Sequence, residues 1–244
     1  MSKSLKDQVA DALWYLKKPG TSPDDEAKAI DILSSIAFSK PKASVELKKI
    51  QKASLPSIKG SLKGIEIALV IGHEPGGGAS GERSWNIKCA KFLKRKLEKR
   101  GASVIIYYHK IRSYSARQNA MRSAVKRLQP NNKICIEFHY DAVSSKYPNG
   151  HHFQYVSTKG KLLASAFRDQ WQKRYPQSRT RRGSTGIYKN TKGNGAGFLK
   201  KAPGYATLLE PFFRSNPAEW AFFKDKHEEV SSVYDAAIVQ FSKH

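Results

Sequence analysis

From residue 65 onward, short apolar runs alternate with longer stretches of helical periodicity. Residues 65–72 (Ile-Glu-Ile-Ala-Leu-Val-Ile-Gly) and 133–140 (Lys-Ile-Cys-Ile-Glu-Phe-His-Tyr) read as buried strands, and 103–108, 151–157 and 205–212 as further strands. Between them the apolar spacing predicts helices over about 84–100, 114–128, 160–175 and 217–241. Such alternation implies an α/β domain: three layers, with a mixed, mostly parallel sheet and helices on both faces. Residues 176–204 are rich in Gly, Arg and Lys and read as a long surface loop holding a short edge strand.

The first 55 or so residues carry a different pattern. Leu5, Val9, Leu13 and Leu16 keep helical spacing until Pro19-Gly20. Ser22 as N-cap, Pro23 in the first position and Asp24, Asp25 and Glu26 in the first turn open a second helix, and a third short one spans 45–53. The segment Ser54–Gly64, with Pro56, Gly60 and Gly64, is the candidate linker. Two units follow: a small helical N-terminal module at 1–58 and the α/β domain at 63–244.

Composition narrows the class. A chain of 244 residues, 39% hydrophobic and 11% aromatic, has the material for one substantial core. No apolar run approaches the ~20 residues that span a bilayer. The N-terminus has no signal-peptide core, because Asp7 and Asp11 interrupt its apolar residues, so synthesis as a soluble cytoplasmic protein is expected. Cys89 falls in a predicted helix and Cys135 in a predicted strand, positions typical of plain core thiols. The net charge is +24, of which residues 1–62 contribute only +4. So strong a positive field favours a polyanionic partner: nucleic acid, acidic lipid, or phosphate-bearing cell-envelope polymers.

Four residues carry the candidate chemistry. His73 and His139 stand where two apolar runs end, Glu210 ends a third (Tyr-Ala-Thr-Leu-Leu-Glu), and Glu82 follows His73 across the loop Glu-Pro-Gly-Gly-Gly-Ala-Ser-Gly. Strand ends on a rigid sheet are where α/β proteins assemble their sites. Two imidazoles and two carboxylates so placed point to a zinc hydrolase, whose catalytic sites use three protein ligands and keep an open position. Each residue has a blander reading. Glu82 also suits a helix N-terminus, His139 alone a hydrogen-bonded structural histidine, and Glu210 a buried partner of Arg214 or Arg117. Glu137, two residues before His139, lies on the same strand face and is placed to fix the tautomer of that ring. The Gly-rich loop lacks the spacing and the Lys-Ser/Thr ending of a phosphate cradle.

Around these residues the chain resembles the zinc-dependent N-acetylmuramoyl-L-alanine amidases of the amidase-3 type, over about Ile65 to Phe241. The resemblance rests on Gly72-His73 before a Gly-rich loop, on Glu82 with Asn86, on His139-Tyr140-Asp141-Ala142, and on Leu208-Leu209-Glu210-Pro211-Phe212-Phe213-Arg214-Ser215-Asn216. Arg117, Asn119 and the strand after Gly150 add to it. It implies His73, Glu82 and His139 as ligands of one Zn2+ per chain, Glu210 as the catalytic carboxylate, and cleavage of the amide between N-acetylmuramic acid and L-alanine in peptidoglycan. Tyr140, His151 and His152 are expected to line the cleft. The chain departs from the family at Glu74 (Gly there), at Glu137-Phe138-His139 (Ser-Ile-His there) and at Phe212 (Gly there).

A basic amidase with a small helical module is similar to a phage endolysin, which implies action on the wall after membrane permeabilisation, with anionic envelope polymers as secondary partners and residues 1–58 in a wall-binding or packing role. Two other classes compete. A basic nucleic-acid-binding protein accounts for the charge but leaves the His and Glu set unused, so no specific nucleic-acid partner is expected. A zinc peptidase acting on ordinary peptides shares the site and differs in the pocket.

Overall fold

The computed structural model describes residues 60–181 and 185–244. The predicted helices before residue 54, and the 1–58 module they define, lie outside these residues. In chain order the elements are β1 (Glu66–Ile71), α1 (Glu82–Lys99), β2 (Ser103–Tyr108), α2 (Tyr114–Leu128), β3 (Ile134–Phe138), β4 (His152–Tyr155), α3 (Thr158–Arg174), β5 (Ile187–Lys189), α4 (Ala196–Lys201), β6 (Tyr205–Glu210), α5 (Pro217–Phe223) and α6 (His227–Phe241).

The strands form one six-stranded sheet in the order β2-β1-β3-β6-β4-β5. β1 pairs with β2 and β3, β3 with β6, and β4 with β5, all in parallel; β4 runs antiparallel to β6. Alternating side chains divide the core into two faces, because successive strand residues point to opposite sides. Ile67, Leu69, Ile71, Ile136, Phe138 and Leu209 pack with Trp85, Leu93 and Leu97 of α1, Phe167 and Trp171 of α3, and Tyr234 and Ile238 of α6. Ala68, Val70, Cys135, Ala206 and Leu208 face Met121 and Val125 of α2 and Phe198 and Leu199 of α4. The three-layer mixed sheet expected from the alternation is therefore present. Arg100, the C-cap of α1, closes a two-pronged contact onto Asp235 of α6, with Nε–Oδ1 and Nη2–Oδ2 both at 2.7 Å, the geometry in which a guanidinium pairs best with a carboxylate.

Two elements differ from the pattern-based reading. The single helix expected over 217–241 is two, α5 and α6, separated by a turn at Lys224–Lys226. Asn216 caps α5 by accepting from the N–H groups of Ala218 and Glu219, and Glu228 and Glu229 fill the first turn of α6, where the helix dipole favours acids. The break seats Phe223 in a stack with Phe212 (ring centroids 4.9 Å apart) and Trp171 (5.3 Å). The 176–204 stretch contains the expected edge strand, β5, and also α4, whose Phe198 and Leu199 cover the second face of the sheet.

His151 belongs to this scaffold. It is fully buried, its Nδ1 lies 2.9 Å from Ser178 Oγ, and its ring packs against Phe153 and Trp171. Burial, helped by Arg168, pulls its pKa down to about 3 from 6.5. The folded state therefore keeps this ring neutral where the unfolded chain protonates it. Stability is lost as pH falls from about 6.5 toward about 3, by up to ~1.4 kcal/mol per pH unit. His151→Gln should flatten that acid limb, read from urea midpoints between pH 4 and 7; an unchanged slope would assign the acid sensitivity to other groups.

Candidate active site and metal centre

The parallel register places the four sequence-selected residues together at the carboxyl ends of three adjacent strands. Gly72 N–H donates to the Phe138 carbonyl (3.0 Å) just beyond β1, so His73 emerges beside His139. His139 N–H in turn donates to the Leu209 carbonyl (3.1 Å), which sets His139 beside Glu210 at the end of β6. The two imidazoles meet edge-on with centroids 4.7 Å apart. Gly72 is required here: a Cβ at that position would run into the His139 ring and the Phe138 carbonyl.

Among the described residues His73 is the one non-glycine with a positive φ, 62°. A left-handed backbone costs an ordinary L-residue roughly 1–2 kcal/mol, and such strain persists where surrounding structure holds it. Here it turns the chain sharply from β1 into the Gly-rich loop. Gly78, at φ +78°, completes that turn with no Cβ to crowd His73 and Glu82.

Glu82 opens α1, so its position at a helix start is correct, but its carboxylate turns back toward the loop. Oε2 accepts from Ala79 N–H (2.9 Å). Oε1 accepts from Tyr140 N–H (3.3 Å) and lies 3.0 Å from His139 Nδ1 and 3.3 Å from His73 Nε2. Burial opposes its charge, yet the hydrogen bonds from His139 and His73 prevail and hold its pKa at about 2. The helix N-cap is Gly81, without a side-chain cap. One carboxylate oxygen facing two imidazole nitrogens is a donor set suited to zinc. One ligand atom from each of His73, Glu82 and His139 lies within 4.8 Å of the others, and no other such group of three occurs among the described residues. The His73 side chain is 28% exposed against 12% for His139 and 3% for Glu82, so the cluster opens to solvent on the His73 side.

Glu210 stands at the edge of this cluster. Its Oε2 is buried and has no hydrogen-bond partner among the described residues. The bland alternative, pairing with an arginine, is not what the fold provides: Arg117 contacts Glu74, and Arg214 lies over the Trp220 ring. Burial first, then the nearby charge of Asp141, pushes the Glu210 carboxyl well above the ordinary range, with His139 pulling the other way. A carboxyl group whose pKa is displaced upward by burial, beside a candidate metal cluster, is suited to acid/base work.

The neighbours of these residues hold the arrangement. Asn86 donates to the Phe138 carbonyl (3.0 Å), fixing the backbone just before His139. Glu137 presents Oε2 at 3.4 Å from His139 Nε2 and Oε1 at 3.1 Å from His109 Nε2, with Gln118 Nε2 at 3.5 Å. Burial disfavours its charge, but the contacts with His109 and His139 outweigh it and hold its pKa at about 2. His139 is raised well above 6.5, since Glu137 and Glu82 overcome the penalty of burial. His109 and Gln118 were not singled out from sequence. His109 carried a usable signal, because it too follows directly on a strand, β2. Gln118 did not; Asn119, its family-matched neighbour, is exposed.

Tyr140, His151 and His152 do not line an open cleft, being at most 3% exposed. The Tyr140 hydroxyl donates to the Ser80 carbonyl (2.7 Å) and closes the Gly-rich loop. His152 pairs across the sheet with Glu210, with Nδ1 at 3.5 Å from Asp141 Oδ2. The rim beyond is pinned by Glu219, a fully buried carboxylate that accepts from Gly150 N–H (2.8 Å) and Phe213 N–H (2.7 Å).

Comparison with known proteins identifies the fold and the family. Solved structures with the same fold include the CwlD amidase of Clostridioides difficile in complex with the GerS lipoprotein (TM-score 0.61, 16% identity, covering 73% of this chain and 98% of that one). The catalytic domain of CwlV, an N-acetylmuramoyl-L-alanine amidase of Bacillus (Paenibacillus) polymyxa var. colistinus, gives 0.60 at 18% identity, with 73% and 98% covered. The catalytic domain of the CD27L endolysin targeting Clostridia difficile gives 0.57 at 20% identity, with 72% and 97% covered. No curated protein sequence matches. The family profile of N-acetylmuramoyl-L-alanine amidases, amidase-3, matches residues 67–239. That match spans most of the sheet, all four strand-end and loop residues and the covering helices, and the chain therefore belongs to the amidase-3 family of N-acetylmuramoyl-L-alanine amidases.

Proposed function

We propose that this chain hydrolyses the amide joining the lactyl group of N-acetylmuramic acid to L-alanine in peptidoglycan, with one zinc ion held by His73, Glu82 and His139 and with Glu210 moving the proton. The observation that carries the reading is the buried, unbonded Oε2 of Glu210 beside a cluster of three candidate ligands. Bound there, zinc supplies Lewis acidity, lowering the pKa of a water to about 7 and polarising the scissile carbonyl. Glu210 takes the proton of the attacking water and delivers it to the departing alanine nitrogen. His139 is held by Glu137 and Glu82 on its two ring nitrogens, so its orientation is set before substrate arrives. The test is metal content of the pure protein followed by digestion of peptidoglycan. New L-alanine amino termini and free lactyl ends support the assignment. New amines from within the peptide stem would make it an endopeptidase. Absence of zinc with tight, salt-sensitive DNA binding would make it a nucleic-acid-binding protein.

We further propose that the enzyme acts as an endolysin of phage type, made in the cytoplasm and reaching the wall after membrane permeabilisation, with its basic surface adhering to anionic envelope polymers. Lys88, Lys91, Arg95 and Lys99 are exposed along α1 at helical spacing, whereas Lys94, Lys96 and Arg100 are paired with Glu98, Glu228 and Asp235. Changing the four exposed residues to Gln should weaken sedimentation with teichoic-acid-bearing walls and flatten its salt dependence, while cleavage of a small soluble muropeptide stays at the parental rate. Equal wall binding by parent and variant would remove this stripe from the reading.

A further inference from the structure

We propose that His109 is a positioning residue for the candidate metal ligand His139, acting through Glu137 as a buried His109–Glu137–His139 relay. The inference rests on the zinc reading above and goes beyond it, because β2, which carries the chain into His109, supplies no candidate ligand.

The geometry is specific. Glu137 and His139 share one face of the same extended segment, and Glu137 bridges two imidazoles, with Oε2 at 3.4 Å from His139 Nε2 and Oε1 at 3.1 Å from His109 Nε2. The side chains of His109 and Glu137 are 0% and 2% exposed, so water does not compete for these contacts. Gln118, reaching in from α2, adds a third donor at 3.5 Å to the oxygen that faces His109. The Tyr107 and His109 rings meet edge to face (centroids 5.4 Å apart, planes at 83°), which limits how that imidazole can turn.

The consequence for His139 follows from its other nitrogen. Nδ1 faces Glu82 Oε1 at 3.0 Å and is therefore the atom turned toward the ligand cluster. Nδ1 serves as a neutral ligand only if the ring proton resides on Nε2, and the carboxylate of Glu137 is the acceptor that keeps it there. A buried carboxylate with a single partner has freedom to swing. His109 anchors its second oxygen and so locks the first against Nε2–H.

Zinc affinity of the folded protein, measured by competition with a chromogenic chelator, reads the relay without using turnover. His109→Leu is expected to weaken zinc about 10–100-fold, while His109→Gln, which retains an N–H donor, stays within about threefold of the parent. A purely structural role predicts lower melting midpoints in both variants with parental zinc affinity, and that result would overturn the proposal. Should His109→Leu fail to fold, long-range 1H–15N spectra of the histidine rings in the zinc-loaded parent decide. The proposal requires a proton on Nε2 of both His139 and His109, and a His109 protonated on Nδ1 alone overturns it. A parent that binds no zinc would remove the metal reading itself. A parent that binds zinc tightly beside an equally tight Leu variant would remove only the relay.

Discussion

Glu210→Gln should leave zinc bound and remove turnover. Gln has nearly the volume of Glu and no titratable proton, so β6, its pairing with β4 and the packing of Leu208 and Leu209 are undisturbed. What disappears, on the proposed mechanism, is the group that accepts a proton in one step and returns it in the next. General acid/base catalysis contributes about 10²–10⁴-fold, and a residue serving both steps lies toward the top of that range. The expected result is a loss of about 10³-fold or more in kcat on purified peptidoglycan, with stoichiometric zinc and an unchanged melting midpoint. The burial that raises the Glu210 pKa makes the amide cheaper to bury than the carboxylate, so the variant should be no less stable than the parent. Turnover at the parental rate would transfer the proton to another group, with Asp141 and His152 the nearest candidates. Loss of zinc along with activity would instead make Glu210 a ligand.

His139→Ala should take the metal with it. Structural zinc sites are worth about 10–16 kcal/mol, or roughly 3 kcal/mol for each of four ligands, so removing one imidazole is expected to weaken zinc on the order of 100-fold or more. The same variant should change the proton balance of binding. In the metal-free protein Glu137 and Glu82 raise the His139 pKa, favouring the protonated ring, and a protonated ring must release its proton to coordinate. Calorimetry in two buffers of different ionisation enthalpy should show proton release in the parent and its loss in His139→Ala. The sign follows from competition between proton and metal: zinc binding tightens as pH rises until the ring deprotonates by itself, and weakens as pH falls below that point. Parental affinity in the variant, or no proton release in the parent, would remove His139 from the ligand set.

Three of the four site residues were legible because of where apolar runs stop. A buried parallel strand must end in residues that leave the core, and a His or Glu at that boundary is delivered to the carboxyl edge of the sheet, as His73, His139 and Glu210 are. Glu82 was legible only as one of two readings. Its place at the start of α1 is as one reading had it, but only the turn through Gly78 and the Tyr140 N–H decide that its carboxylate faces His73 and His139 rather than its own helix. His109 and Gln118 escaped notice because their meaning depends on Glu137, which lies 28 and 19 residues further along the chain. The split of α5 from α6 was missed for a related reason: the apolar spacing runs on through both, and Phe223 finds its partners Phe212 and Trp171 only in the folded core.

The chain's own order of residues determined the alternation of strands and helices, the two-sided apolar character of the central strands and the delivery of two imidazoles and a carboxylate to strand ends. These are local properties, set by periodicity and by the punctuation of Gly and Pro. Tertiary structure decided the strand order β2-β1-β3-β6-β4-β5 and the turning of Glu82 into the cluster. It also decided the burial of His151, Tyr140 and His152 and the meeting of His109 with Glu137. Each of these depends on which distant segments become neighbours. That choice is made by packing two unequal faces of one sheet with residues of all six described helices, and no window along the sequence contains it.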